Sequence, residues 1–216
     1  MAGLKDNIKE ILNALPGHVE LVAAAKGRRS EEILEAIAGG VKIIGENYIQ
    51  EAEEKFKKIG TKVKWHFIGR LQKNKVKKAV KIFDMIETVD SGEIAEAIDA
   101  ASARANKIMP VLIEVNSGLE DNKSGVLPLN VKALIKDISG LRNIKVMGLM
   151  TMGPLLKNPE DYRAYFQETK KLFDNIRLTV DMQYLSMGMS DSYQIAIQEG
   201  ANLVRIGTAI FGPRVK

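Results

Sequence analysis

Cysteine is absent from the 216 residues, which excludes a disulfide framework, a thiolate nucleophile and any cysteine-ligated metal. Histidine is almost absent too: His18 and His66 are the only two, so a metal centre would need several carboxylates to converge on them. There is one tryptophan, and aromatics make up 6% of the chain, too few to interleave with basic residues as a base-stacking platform. No apolar run reaches the roughly 18 residues that a membrane span requires. The six prolines are scattered, and no Pro-rich or Gly-rich linker, low-complexity tract or sequence repeat divides the chain. Also missing are a G-x-S-x-G elbow, a P-loop and a G-x-G-x-x-G turn after a strand.

What is present is ample core material, 45% hydrophobic against 27% charged, in a length that suits one large domain. The N-terminal MAGLKDNIKEILNALP is amphipathic and carries acids among its lysines. It reads as a surface helix, not a signal peptide, and the expected location is the cytosol. The net charge of +5 does not come from an arm or tail. Its densest cluster, Lys73, Lys75, Lys77, Lys78 and Lys81, has Val76, Ala79 and Val80 between its members, the pattern of a solvated helix face. Nucleic acid is therefore not an expected partner, whereas a small anion would suit the positive potential.

Apolar β-type runs alternate with helical patterns to the end of the chain. The expected strands are Glu20–Ala25, Val41–Ile44, Val63–Ile68, Met85–Thr88, Met109–Val115, Lys145–Met150, Tyr184–Met187 and Leu203–Ile206. Seven helical segments lie between them. Ser30 can cap one, with Glu31 and Glu32 in its first turn. Asp90 and Glu93 have capping-box spacing for another, and Gly200 can end a third in a left-handed conformation. Strict alternation implies parallel strands with right-handed crossovers. Eight such units without a linker favour closure over an open sheet, so the predicted fold is a single-domain (β/α)8 TIM barrel over residues 1–216 with an extra N-terminal helix.

In such a barrel the ligand sits where the strands end. The run VELVAAAK, Val19 to Lys26, delivers one amine to that face. On its own such a lysine reads as a solvated cap, and the residues further along the chain are what move the balance. Ser190, after the seventh strand, is expected to open a helix, either capping it or offering a hydroxyl to a phosphate. Gly207 and Thr208 follow the eighth strand, and a phosphate site shared by the last two loops recurs in this barrel. Arg205 alternates with apolar residues in that strand, so either a ligand atom or a carboxylate must meet its guanidinium. His66 reads as a packed, hydrogen-bonded barrel residue. A lysine, a phosphate nest and an arginine describe a site for an aldehyde that carries a phosphate. Two classes then compete, sugar-phosphate aldolases and proteins that hold pyridoxal 5'-phosphate (PLP), and composition does not separate them.

The strings VAAAKGRR, IGENYIQE, WHFIGRLQKNK, VLIEVNSGLEDNKSGV, MGLMTM and LSMGMSDSYQIAI with VRIGTAIFG resemble the pyridoxal phosphate homeostasis protein family, single-domain relatives of the alanine racemase N-terminal barrel. The match runs from about residue 19 to 212. The resemblance implies PLP held as a Schiff base by Lys26, its phosphate bound by Ser190 and the Gly207-Thr208 backbone, and Arg205 against the pyridine nitrogen. It also implies Asn47 near the ring or its linkage, and Lys123 in the place of a racemase arginine. The chain departs from commoner members at Ala25 and Gly27, where serine and threonine are frequent. An arginine at the ring nitrogen weakens the electron sink, and no additional β-domain supplies a second base unless Tyr48 does. The expectation is a monomeric, non-catalytic PLP carrier whose partners are PLP and PLP-dependent recipient enzymes. The alternative is a weak amino-acid racemase, and a Schiff-base aldolase is a third possibility.

Overall fold

The computed structural model describes residues 3–120, 123–154 and 156–213. Eight parallel strands close in sequence order into a barrel. They are β1 (Glu20–Ala24), β2 (Ile43–Glu46), β3 (Lys64–Phe67), β4 (Met85–Val89), β5 (Met109–Val115), β6 (Ile144–Thr151), β7 (Tyr184–Ser186) and β8 (Leu203–Ile206). The crossovers are α2 (Ser30–Ala38), α3 (Ile49–Ile59), α4 (Val76–Ile82), α5 (Gly92–Arg104), α6 (Val131–Asp137), α7 (Tyr162–Ile176) and α8 (Tyr193–Gln198). The predicted (β/α)8 barrel, with its extra N-terminal helix α1 (Leu4–Ala14), is the fold observed.

Several local expectations are corrected. β2 begins and ends two residues later than predicted, so Gly45 and Glu46 belong to the strand and not to the loop after it. The cap of α5 is Ser91, whose hydroxyl accepts from the Ile94 amide at 3.4 Å, and not Asp90. Ser30 is the first residue of α2 and not its cap, and Glu32 reaches back to the Arg29 amide at 2.8 Å. After β8 the chain turns at once into a ninth helix, α9 (Thr208–Phe211), which is not among the seven helical segments expected between the strands. Gly200 does end α8 with a left-handed φ of +92°.

Two apolar clusters carry the packing. The larger lies between the strands and the surrounding helices, around Trp65, Phe67, Phe83 and Phe166. The smaller consists of Val22, Ile43, Ile68, Met85, Leu112, Met150 and Leu203. Register neighbours share a face of a sheet, so the pairings Val22 with Ile43 and with Arg205, and His66 with Met85, put this second set inside the barrel. Two residues further along the same strands, on the same face, come Glu87 after Met85, Glu114 after Leu112 and Arg205 after Leu203. The barrel interior is thus apolar toward the strand starts and ionic toward the strand ends. No helix of the described residues is long and apolar enough to cross a membrane.

Candidate functional site

A cavity of about 270 Å³ opens at the carboxyl ends of the strands and is lined by Lys26, Asn47, Ser190, Arg205, Gly207 and Thr208. All six residues singled out in the sequence meet there. A larger groove, about 920 Å³, between Tyr48, Arg70 and Glu93 adjoins it through Asn47. The smaller cavity is the one with a distinctive chemistry.

Lys26 leaves β1 on a turn closed by the Arg28 amide donating to the Ala25 carbonyl at 3.0 Å. Its half-buried side chain makes no hydrogen bond or ion pair among the described residues, and its Nζ lies 5.9 Å from the centroid of the exposed Tyr48 ring. Asn47 sits directly after β2. Gly69 makes room for it, because a Cβ at that position would fall 2.2 Å from the Asn47 carbonyl oxygen.

Ser190 does not open a helix. α8 starts at Tyr193 with Ser192 as its N-cap residue, and Ser190 stands in the turn ahead of it. The reason is Gly188, whose φ of +92° and a virtual Cβ 2.6 Å from Ala196 Cβ let the chain fold back before the helix begins. Ser190 Oγ instead accepts from the Ala209 amide at 3.2 Å, joining the loop after β7 to α9. Its hydroxyl proton is left to donate elsewhere. Gly207 carries the first turn of α9, its carbonyl accepting from Ile210 and Phe211 at 3.0 and 2.9 Å. Arg28 also lines the cavity, its guanidinium donating to the Gly212 carbonyl and lying 5.4 Å from the Phe211 ring centroid. Sequence reasoning did not single out Arg28, although GRR directly after the lysine marked the place.

Beneath the cavity lies a buried polar chain. Arg205 donates from Nη1 to Ser186 Oγ at 2.5 Å and from Nη2 to the Thr151 carbonyl at 2.7 Å. Ser186 Oγ donates to Glu87 Oε2 at 2.6 Å, and the other oxygen of Glu87 meets His66 Nδ1 at 2.7 Å. Of the two alternatives raised for Arg205, the carboxylate is there, 4.0 Å from Nη1, and the residue also lines the cavity. Burial works to raise the Glu87 pKa, but His66, Arg205 and the Ser186 hydroxyl outweigh it and hold the carboxyl below its ordinary value. Burial lowers Arg205 from its ordinary value against the pull of Glu87 and Glu114. Glu114 is raised, chiefly by burial, and its Oε2 has no hydrogen-bond partner among the described residues. His66 is therefore a hydrogen-bonded barrel residue, as expected. Lys123 lies outside the cavity lining, exposed, with Glu120 Oε2 2.5 Å from its amine.

Glu46 is fully buried at the end of β2, 2.6 Å from Lys55 Nζ. Burial raises its pKa from 4.5 to about 7 despite the charge and hydrogen bond of Lys55. Because the folded value exceeds the ordinary one, the folded state binds more protons between the two. This group's contribution to stability is present at low pH and is lost as pH rises through about 7, by at most about 3 kcal/mol. Glu87, shifted the other way, titrates below that window. We expect Glu46→Gln to flatten the decline in urea-unfolding stability between pH 5 and 8; curves parallel to wild type would contradict the assignment.

The fold and the cavity define a class, and comparison with known proteins agrees with it. The family model for the alanine racemase N-terminal domain matches residues 1–215. The chain is 43% identical over 198 residues to the pyridoxal phosphate homeostasis protein of Aquifex aeolicus, covering 90% of this chain and 87% of that one. It is 36% identical over 209 residues to the protein of that name in Mus musculus, covering 90% and 76%. The solved structure of PipY from Synechococcus elongatus with PLP bound superimposes with a TM-score of 0.90 at 30% identity, over 97% of this chain and all of that one. An alanine racemase from Clostridium difficile, at 17% identity and a TM-score of 0.80, shares the fold over 57% of its own length. The chain belongs to the pyridoxal phosphate homeostasis protein family, within the alanine racemase N-terminal class of barrels.

Proposed function

We propose that this protein holds pyridoxal 5'-phosphate reversibly as a Schiff base on Lys26 and passes it to PLP-dependent enzymes in the cytosol, without turning over a substrate of its own. The observation that carries the reading is the convergence of Lys26, Asn47, Ser190, Arg205, Gly207 and Thr208 on one cavity of about 270 Å³. That volume suits a small ligand, just under the range of drug-sized clefts. The relatives' names and the PLP-bound state of PipY support the choice of ligand.

The donor set fits the group. A lysine with no protein partner among the described residues lines the cavity, together with a hydroxyl that donates to no described residue and the turn at Gly207. Arg205 has both terminal nitrogens engaged inside the barrel, which leaves its Nε without a protein partner among the described residues. When bound, the cofactor would supply an aldehyde for the Lys26 amine to hold. Ser190 and the Gly207-Thr208 backbone would bind the phosphate, while Asn47 would border the ring.

Arg205 would face the pyridine nitrogen as a donor. A guanidinium cannot take up the nitrogen's proton, and Ser186, Thr151 and Glu87 fix this one in place. The ring would thereby be kept from becoming a strong electron sink, which would favour holding over catalysis. Tyr48, exposed and beside Lys26, would be the candidate second base for a racemase. The decisive comparison is incubation of the PLP-loaded protein with L-amino acids in deuterated water, alongside an apoenzyme acceptor. The carrier reading expects acceptor activation and no sustained α-proton exchange; steady exchange on several amino acids would defeat it.

A further inference from the structure

The turn that carries Lys26 is gripped from both sides by one ion cluster built on β2 and α3. The buried face of α3 is formed by Ile49, Ala52, Lys55 and Ile59, so the helical spacing that points three apolar side chains at the barrel also points one ammonium there. Lys55 is 7% exposed, and a lone ammonium at that depth would be prohibitively costly. All three of its protons are used. They go to the Ala25 carbonyl at 2.9 Å, Glu46 Oε1 at 2.6 Å and Glu51 Oε2 at 3.1 Å. Glu51 Oε2 also accepts from the Gly27 amide at 2.8 Å.

The two main-chain atoms held are the carbonyl of the residue before Lys26 and the amide of the residue after it. Neither bond is one the fold itself demands. β1 ends at Ala24, and the Ala25 amide is already tied to the Gly45 carbonyl at 2.9 Å. Gly27 adopts a φ of +71°, open to few side chains, so the turn is a specific conformation and not a relaxed one. Meanwhile the Lys26 side chain itself is untethered among the described residues. Its aim depends on its backbone, and its backbone depends on the cluster.

We propose that Lys55 and Glu51, backed by Glu46, are positioning residues that hold the Lys26 backbone so that its amine addresses the aldehyde of a phosphate-anchored ligand. The inference rests on the reading of Lys26 as the aldehyde-binding amine. Lys55 and Glu51 hydrogen-bond no residue that lines the cavity, only the main chain on either side of Lys26, Glu46 and each other, so removing either should separate two properties that simple unfolding would lose together. Glu46 supports the assignment. It is fully buried, and its Oε1 accepts from Lys55 at 2.6 Å on the amine that also donates to the Ala25 carbonyl.

The test uses the full chain and two ligands, PLP and pyridoxine 5'-phosphate, which has the phosphate and the ring but no aldehyde. In Lys55→Met we expect the visible absorption band with PLP to form at least tenfold more slowly than in wild type, with the dissociation constant for pyridoxine 5'-phosphate within twofold of wild type. Glu51→Ala changes a more exposed member of the cluster and should show the same split to a lesser degree. Glu51→Gln, which keeps an oxygen for the Gly27 amide, should restore the rate. Wild-type band formation in both Lys55→Met and Glu51→Ala overturns the proposal, as does an equal loss of both ligands in Glu51→Ala. A wild type that gives no band at all sinks the Lys26 reading itself, and the inference with it.

Discussion

Lys26→Ala should abolish the visible band obtained with PLP while leaving the fold and the affinity for pyridoxine 5'-phosphate close to wild type. The amine is the one group in the cavity that can join an aldehyde carbon and that no described residue already holds. Its removal therefore costs the covalent bond and little else. The side chain is half-buried and lends no hydrogen bond to the described residues, so truncation should lower stability by no more than about 1 kcal/mol. A band of wild-type intensity in this variant would transfer the role to another lysine. Lys55 would be the first to question, since its amine is tied to the same turn.

Glu87→Ala should be among the most destabilising single changes in the barrel. The carboxylate is fully buried and receives two hydrogen bonds, from His66 and from Ser186, at 2.7 and 2.6 Å. Its loss leaves the Arg205 guanidinium without a facing anion at close range, and breaking a buried pair by removing one partner costs about 3–5 kcal/mol. Ligand binding should suffer as well, since Ser186 would lose the carboxylate that orients its hydroxyl toward Arg205, leaving the Thr151 carbonyl as the guanidinium's firmer anchor. The double variant Glu87→Ala with Arg205→Met should recover part of the stability, because replacing both partners removes the orphaned charge. Urea unfolding reads both effects. A loss under about 1 kcal/mol in Glu87→Ala would show that the chain through Ser186 is not what holds Arg205.

The two predictions differ in how legible their residues are in the sequence. Lys26 stands at the end of an apolar run, and the strand pattern alone places it at the ligand-bearing face of a barrel. Arg205 announces itself in the same way, as a charge with branched aliphatics on either side. Ser190, Gly207 and Thr208 follow from their places after the last two strands, although the loop geometry does not. The turn at Gly188 delays α8, and the helical turn at Thr208 has no periodic signature because four residues are too few to show one.

The supporting ions were less visible for a physical reason. Glu46, Glu87 and Glu114 each lie in or at the end of a strand run, where period-2 patterning marks the face but does not say whether that face is solvent or barrel interior. In a closed barrel the inner face near the strand ends can be ionic, and these three use it. Lys55 did carry a signal, an ammonium in register with Ile49, Ala52 and Ile59 on a helix otherwise polar on its other side. Its partners come from β2, the turn after β1 and its own helix, a convergence that closure of the barrel creates and linear spacing does not display.

The account's central claim is that one reversible bond at position 26 defines what this protein does. It is tested most directly by loading the purified protein with PLP, reducing with borohydride and mapping the modified peptide. The account predicts a pyridoxyl group fixed as a secondary amine on Lys26 at close to one per chain. Label on any other lysine, or none retained after reduction, would contradict it.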